Sequence, residues 1–256
     1  RGLPLHSPEL VVSVTSYPPR IRGCWMAIQS IMLQSQRPDA IVLTLFEGDF
    51  PGRRLPLALR FQMGRGLQVV WLTEDGRSYD KLLPTRRMYP HATVVTIDDD
   101  LILPKNFVAE MWRAHRESPA AIIGYRGWEM ATAGGKLLFG EGWRRAGPDS
   151  DSSRLFFAGN AGILYPPDSL IASAHDLQKA RAVAPTADDV WFWAAAVAKG
   201  TELRCLGKPA HTPICAQRKT PALNTVNEAQ NSAQFEAAIA HFGLQKSASG
   251  DHYVRG

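Results

Sequence analysis

The chain has 256 residues, 45% of them hydrophobic and 21% charged, with a formal net charge of +5. That is the composition of an ordinary globular protein able to bury a sizeable core. No apolar run approaches the roughly 20 residues that span a bilayer, and no charged-then-apolar leader opens the sequence.

The basic residues are scattered, with pairs at Arg53-Arg54, Arg86-Arg87 and Arg144-Arg145. Such a surface attracts an anionic substrate or anionic lipid headgroups. No nucleic-acid motif accompanies it, so nucleic acid is not an expected partner. The chain starts at Arg1 without methionine, which reads as a trimmed sequence and leaves an upstream signal or anchor open. Cys24, Cys205 and Cys215 are odd in number and lack CxxC spacing. Reduced, mostly buried thiols and a cytosolic location, with the inner face of a membrane as an option, are expected.

Leu10 to Thr15 is an apolar, β-branched run that reads as a buried strand. Cys24 to Gln34 reads as a helix, ended by Pro38-Asp39. Further strands are expected at Ala40 to Phe46, Leu67 to Leu72 and Thr93 to Ile97, with a short helix from Leu82 to Met88. A helix at Asn106 to Glu117 and a strand at Ala121 to Tyr125 follow. This alternation predicts an α/β fold with a mainly parallel, Rossmann-like central sheet covered by helices on both faces. Such sheets bind ligands at the carboxyl ends of their strands. Gly127 to Ser153 reads as a hairpin and a mobile loop. Ordered structure resumes at Phe156 to Tyr165, followed by a helix around Ser169 to Arg181. Later elements are a helix from Val190 to Lys199 stopped by Gly200, a strand at Thr201 to Leu206, and a helix from Asn227 to His241 with a fraying tail.

Asp98, Asp99 and Asp100 follow the strand that ends at Ile97, so the carboxylates emerge at the mouth of the sheet. Packed carboxylates repel and desolvate badly unless a cation neutralises them. Hard divalent cations take one or two protein carboxylates plus substrate phosphates, so Mn²⁺ or Mg²⁺ on a diphosphate is the economical explanation. The bland alternative, a solvated acidic turn, fits poorly with Leu101 and Ile102 next in line.

Val12 to Ile21 (VSVTSYPPRI), Tyr79 to Pro84 (YDKLLP), Thr96 to Pro104 (TIDDDLILP), Gly162 to Pro167 (GILYPP) and Pro185 to Trp193 (PTADDVWFW) occur in order over about two thirds of the chain. On these segments the sequence resembles GT-A-fold glycosyltransferases, specifically bacterial family 2-like enzymes that build surface polysaccharides. The resemblance implies a single GT-A-like domain over 1–256. A nucleotide-sugar-binding half would cover 1–125, an acceptor-binding and catalytic half 126–225, and a terminal helix and tail 226–256.

It further implies that Thr15, Ser16, Tyr17 and Arg20 hold the nucleoside, and that Lys81 lies near the nucleotide or its phosphates. Asp98 to Asp100 would be the DXD motif at the end of the fourth strand, with Asp98 and Asp99 toward the donor and Asp100 and Asp98 on the metal. His211 is the implied further metal ligand. Gly159 and Asn160 sit where the backbone could approach the donor sugar, although a tight turn is an equal reading. Asp188-Asp189 precede an apolar helix, where Asp188 could simply cap; the resemblance implies that the pair is catalytic, with Asp189 as base. Trp128 and Trp143 could stack on acceptor sugars or pack a loop down.

A nucleotide-sugar donor, of the UDP-sugar class, and a saccharide or lipid-linked saccharide acceptor are the implied partners, with peripheral membrane association as an option. Asp98 to Gly124 also resembles the exostosin-like transferases, which retain anomeric configuration, so the stereochemistry stays open. A nucleotidyltransferase, a phosphoesterase and a non-catalytic sugar-binding domain are the competing readings.

Overall fold

The computed structural model describes residues 8–133, 136–137, 139–140, 142–207, 212–214, 224–247 and 252–256. The first elements are β1 (Leu10–Thr15), α1 (Pro18–Met32), β2 (Ala40–Phe46), α2 (Leu57–Met63), β3 (Leu67–Leu72), α3 (Leu83–Met88) and β4 (Thr93–Ile97). They lead to β5 (Leu101–Ile102), α4 (Phe107–Glu117), β6 (Ile122–Gly124), β7 (Gly127–Glu129), β8 (Thr132–Ala133), β9 (Lys136–Leu137) and β10 (Arg144–Arg145). After these come β11 (Leu155–Phe157), β12 (Ile163–Tyr165), α5 (Leu177–Val183), α6 (Asp188–Lys199), β13 (Leu203–Cys205) and β14 (Thr212–Pro213). The last are α7 (Asn224–Phe242), β15 (Leu244–Lys246) and β16 (Tyr253–Arg255).

The expected strands at 10–15, 40–46, 67–72 and 93–97 fall on the same residues in the structure. β1 and β4 are buried almost from end to end, which their Val- and Ile-rich sequences permit and a sheet covered on both faces requires. The central sheet has seven strands in the order β13-β6-β12-β4-β1-β2-β3, and only β12 runs antiparallel to its neighbours. From β1 the chain first steps outward to β2 and β3, then returns to place β4 on the other side of β1. The carboxyl ends of β1 and β4 therefore flank the switch point of the sheet, where open α/β folds form a crevice. Their register pairs Val14 with Ile97, so Thr15 and Ser16 emerge beside Asp98 and Asp99.

Several boundaries differ from the sequence expectation. α1 starts at Pro18, well before Cys24, because Pro18 and Pro19 occupy the first helical turn, where a missing N–H costs nothing. α2 was not expected: only Leu59 and Gln62 of its seven residues face inward, so the sequence carries no apolar stripe. The helix expected at 169–181 is instead a 3-10 turn at Ala172–His175 followed by α5, whose start is set by Asp176 accepting the Lys179 N–H at 3.1 Å. The expected hairpin is formed by β8 and β9, while β10 and β11 flank β7 in a three-stranded sheet. The tail does not simply fray. β15 pairs with β16, and buried Tyr253 packs edge-on against Trp193 and Phe235.

α6 is apolar nearly all round and is buried accordingly. Its two tryptophans are core: the Trp191 and Trp193 indole N–H groups donate to the carbonyls of Ala174 and Leu155, each at 3.0 Å. Gly200 ends the helix in the left-handed region at φ 77°. No helix of the described residues is long and apolar enough to cross a membrane.

Candidate active site

The acidic run leaves the carboxyl end of β4 and meets the first turn of α1. Asp99 is the inward member, its side chain 5% exposed, against 22% for Asp98 and 29% for Asp100. The Ser16 hydroxyl donates to Asp99, and Arg20 Nη1 lies 3.2 Å from Asp99 Oδ1 and 3.1 Å from Asp100 Oδ2. Burial pushes Asp99 up to about 6 against the opposing pull of Ser16 and Arg20. Asp100 is raised by burial and then by the charge of Asp98.

Lys81 approaches from the other side, at the end of a 3-10 turn from Arg77 to Lys81. That turn is fixed from within. The buried Asp80 carboxylate accepts the Gly76 N–H at 3.0 Å, the Thr44 hydroxyl donates to the Asp80 carbonyl at 2.7 Å, and the Tyr79 hydroxyl donates to the Ala184 carbonyl at 2.6 Å. Lys81 Nζ lies 3.2 Å from Asp98 Oδ1 and 3.5 Å from Asp188 Oδ2, with both Lys81 and Asp188 side chains only 11% exposed. Burial by itself would lower the lysine, but Asp188, Asp98 and Asp189 together hold it well above its ordinary value.

The structure puts the N-cap position of α6 one residue before Asp188. Ala187 is the N-cap residue and offers no side-chain bond; Gln234 of α7 accepts the N–H groups of Thr186 and Ala187 at 2.9 and 3.1 Å. Asp188 is therefore not the cap, and it pairs with Lys81 instead. Asp189 accepts the Gly159 N–H. Burial and the adjacent Asp188 carboxylate push Asp189 up to about 7, while Lys81 pulls it down. Lys81, Thr96, Gly159, Tyr165, Asp188 and Asp189 enclose a cavity about the size of one water molecule.

Gly159 has a steric reason to be glycine. A Cβ there would stand 2.4 Å from Asp189 Oδ1 and 3.4 Å from Lys81 Nζ. Gly159→Ala is expected to leave melting nearly unchanged, because a carboxylate can swing aside, yet to displace Asp189 and lower kcat by roughly tenfold to a hundredfold. Steady-state kinetics beside a melting curve checks this.

The remaining expected residues divide. The Thr15 hydroxyl donates to the Thr44 carbonyl at 3.0 Å. Tyr17 is 39% exposed, and the Arg20 guanidinium lies 5.7 Å from its ring centre. Asn160 Oδ1 accepts from Arg126 Nη1 at 3.3 Å. His211 and Cys215 lie outside the described residues, while Cys24 and Cys205 are buried free thiols. Trp143 packs against Phe139, Phe156 and Phe235, and Arg145 covers the Trp128 ring at 4.2 Å. Arg126 was not expected at the site. It follows β6, is half-buried, and interacts electrostatically with Asp189; no motif around Tyr125-Arg126-Gly127 signals this.

The need for a cation is met in part by the protein itself. Lys81 and Arg20 neutralise some of the cluster. Five carboxylates still face only three cations, Arg20, Lys81 and the more distant Arg126. No group of three or more His, Cys, Asp or Glu side chains suited to a metal ion occurs among the described residues. Asp98 and Asp100 nevertheless fit a shared cation: both are partly exposed, and the charge of Asp98 raises Asp100. Two carboxylate donors are what a hard divalent cation takes from protein when phosphates supply the rest.

No protein-family profile and no curated protein sequence matches the chain. Among solved structures, TarS of S. aureus aligns with a TM-score of 0.53 at 12% identity, over 79% of this chain and 36% of that one. TarS 1–349 in complex with UDP aligns with a TM-score of 0.52 at 14% identity, over 79% and 59%. The fold is GT-A-like. A mannosyltransferase from Pyrobaculum calidifontis, in complex with GDP-Man and Mn²⁺, aligns at 0.49 and 16% identity, over 81% and 56%. The GT-A-like chain thus spans 36% to 59% of the length of these three structures.

Proposed function

We propose that the chain is a glycosyltransferase that moves a sugar from a nucleotide-diphosphate sugar to a saccharide or lipid-linked saccharide in bacterial surface polysaccharide synthesis. The observation that carries this reading is Lys81 Nζ within 3.5 Å of both Asp98 and Asp188. Two acidic clusters far apart in sequence thereby meet at one crevice, with a carboxylate raised to about 7 beside them. The UDP in complex with TarS 1–349 favours a UDP-sugar as donor.

In the mechanism, Asp189 takes the proton of the acceptor hydroxyl as that oxygen attacks the anomeric carbon. The bond from anomeric carbon to phosphate oxygen breaks, and its electron pair leaves with the diphosphate. One carboxylate acting as base suits a single displacement, so the reading is inversion. Asp98 and Asp100 would hold Mn²⁺ or Mg²⁺, with His211 a further candidate ligand. A divalent cation there supplies positive charge to the departing diphosphate. Lys81 orients Asp98 and Asp188 and keeps their charges apart. Thr15, Ser16, Tyr17 and Arg20 border the nucleoside side of the crevice, with Asp99 anchored beneath them, and Gly159 and Asn160 border the sugar side.

Calorimetry tests the donor site. UDP is expected to bind in Mn²⁺ or Mg²⁺ and at least about tenfold more weakly in Asp100→Ala, the loss of one charge-assisted contact. Unchanged metal-dependent binding in that variant would overturn the metal assignment. A nucleotide-sugar screen, followed by NMR of the product's anomeric configuration, tests the transfer and its stereochemistry.

A further inference from the structure

Of nine exposed large apolar or aromatic side chains among the described residues, six are Trp25, Leu33, Leu57, Phe61, Met63 and Ile102. They share one region. Trp25 forms a wall of two adjoining grooves, one shared with Leu33, Ile102 and Lys105, the other with Arg22, Phe50, Arg54 and Pro56. Buried Gln62 locks α2 against α1 by donating to the Trp25 carbonyl at 2.9 Å. Residues 17–66 carry seven arginines and no lysine, against only Asp39, Glu47 and Asp49. Much of the net charge of +5 is therefore local. Arg53 is paired with Glu47 at 2.8 Å, but Arg22, Arg54 and Arg60 make no ion pair among the described residues, and Arg65 lies over the Phe61 ring at 5.9 Å.

We propose that the outer face of α1 and α2 docks on an anionic lipid surface, with Trp25, Leu57 and Phe61 entering the headgroup layer and the arginines contacting lipid phosphates. Exposed aromatic and aliphatic groups inside a cationic rim are the chemistry of an interfacial anchor. A second copy is a poorer occupant, since a two-fold contact would set arginines against arginines. The face adjoins the crevice: α1 carries Arg20 at the acidic cluster and Trp25 five residues further along, on its exposed side. The inference is independent of the transfer reading, because its test measures binding.

The chain is mixed with vesicles of phosphatidylcholine alone or with phosphatidylglycerol added, and then sedimented. It is expected to pellet with the anionic vesicles only, to be released by high salt, and to show a blue shift of tryptophan emission. Leu57 and Phe61 are 76% and 67% exposed, so Leu57→Asp with Phe61→Asp preserves the fold; this pair should lower partitioning at least about tenfold. Arg54→Glu with Arg60→Glu should lower it on the order of fivefold per charge removed. Circular dichroism confirms folding of both variants. Equal pelleting with neutral vesicles, no pelleting, or wild-type pelleting by both double variants overturns the proposal. Self-association that Leu57→Asp with Phe61→Asp abolishes, without vesicle binding, assigns the face to a second copy and likewise overturns it.

Discussion

Replacing Lys81 with methionine is expected to cost about 3 kcal/mol of stability at neutral pH, since breaking a nearly buried ion pair leaves its carboxylates uncompensated. Asp98, Asp188 and Asp189 would then repel one another without the ammonium at 3.2 and 3.5 Å from the first two. The cheapest relief is protonation of the carboxylate already raised highest. Lys81 now pulls Asp189 down, so its loss raises Asp189 further. The acid limb of the pH–rate profile should move to higher pH, and transfer at pH 7 should fall about a hundredfold, with partial recovery on raising the pH.

The stability effect has a definite sign. Lys81 is raised above its unfolded value, so its contribution is complete below pH 10.5 and is lost only as pH rises through the folded value. Neutral-pH urea denaturation therefore reads the full loss in Lys81→Met. Asp189 works oppositely. It is raised above 3.8, the folded state holds its proton longer, and acidification from pH 7 toward pH 4 should recover part of the variant's stability. A variant that melts like wild type with an unmoved acid limb would remove Lys81 from the electrostatic centre of the site.

Asp189→Asn should abolish transfer by a different route. Asparagine keeps the shape and can still accept the Gly159 N–H, but it cannot take a proton. Loss of the base is expected to lower kcat roughly a thousandfold. Metal-dependent nucleotide binding should be unchanged, because Asp98 and Asp100 are intact. Melting should not fall, since a half-buried carboxylate beside another carboxylate has been replaced by a neutral amide. In the wild type, kcat/KM should fall about tenfold per pH unit below 7, where Asp189 protonates. The variant should lose that limb. Wild-type kcat in Asp189→Asn would move the base elsewhere, whereas loss of nucleotide binding would make Asp189 part of the donor site. Together with Asp100→Ala, the variant separates donor binding from chemistry.

The parallel strands were legible because β1, β2 and β4 are continuous apolar runs, a pattern few other structures can use, and Asp98 to Asp100 at the end of one of them marked the crevice. Gly200 marked a helix end for an equally local reason, the left-handed backbone it adopts. α2 was not legible, since Leu57, Phe61 and Met63 point outward. Nor was Tyr253, whose burial depends on Trp193 and Phe235.

At the site, local sequence supplied the carboxylates but not their partners. That Asp188 precedes an apolar run suggested a cap; in the fold it is already the first residue of α6, with Ala187 at the cap position, and its carboxylate turns to Lys81. Arg126 gives no local sign at all of its influence on Asp189. The sequence thus determined the central strands and the place where acidic groups leave the sheet, because periodicity and backbone preference act over a few residues. Tertiary structure alone decided which cation faces which carboxylate and how high Asp189 is driven. Those depend on burial and on distances of a few ångströms between groups that the chain holds far apart.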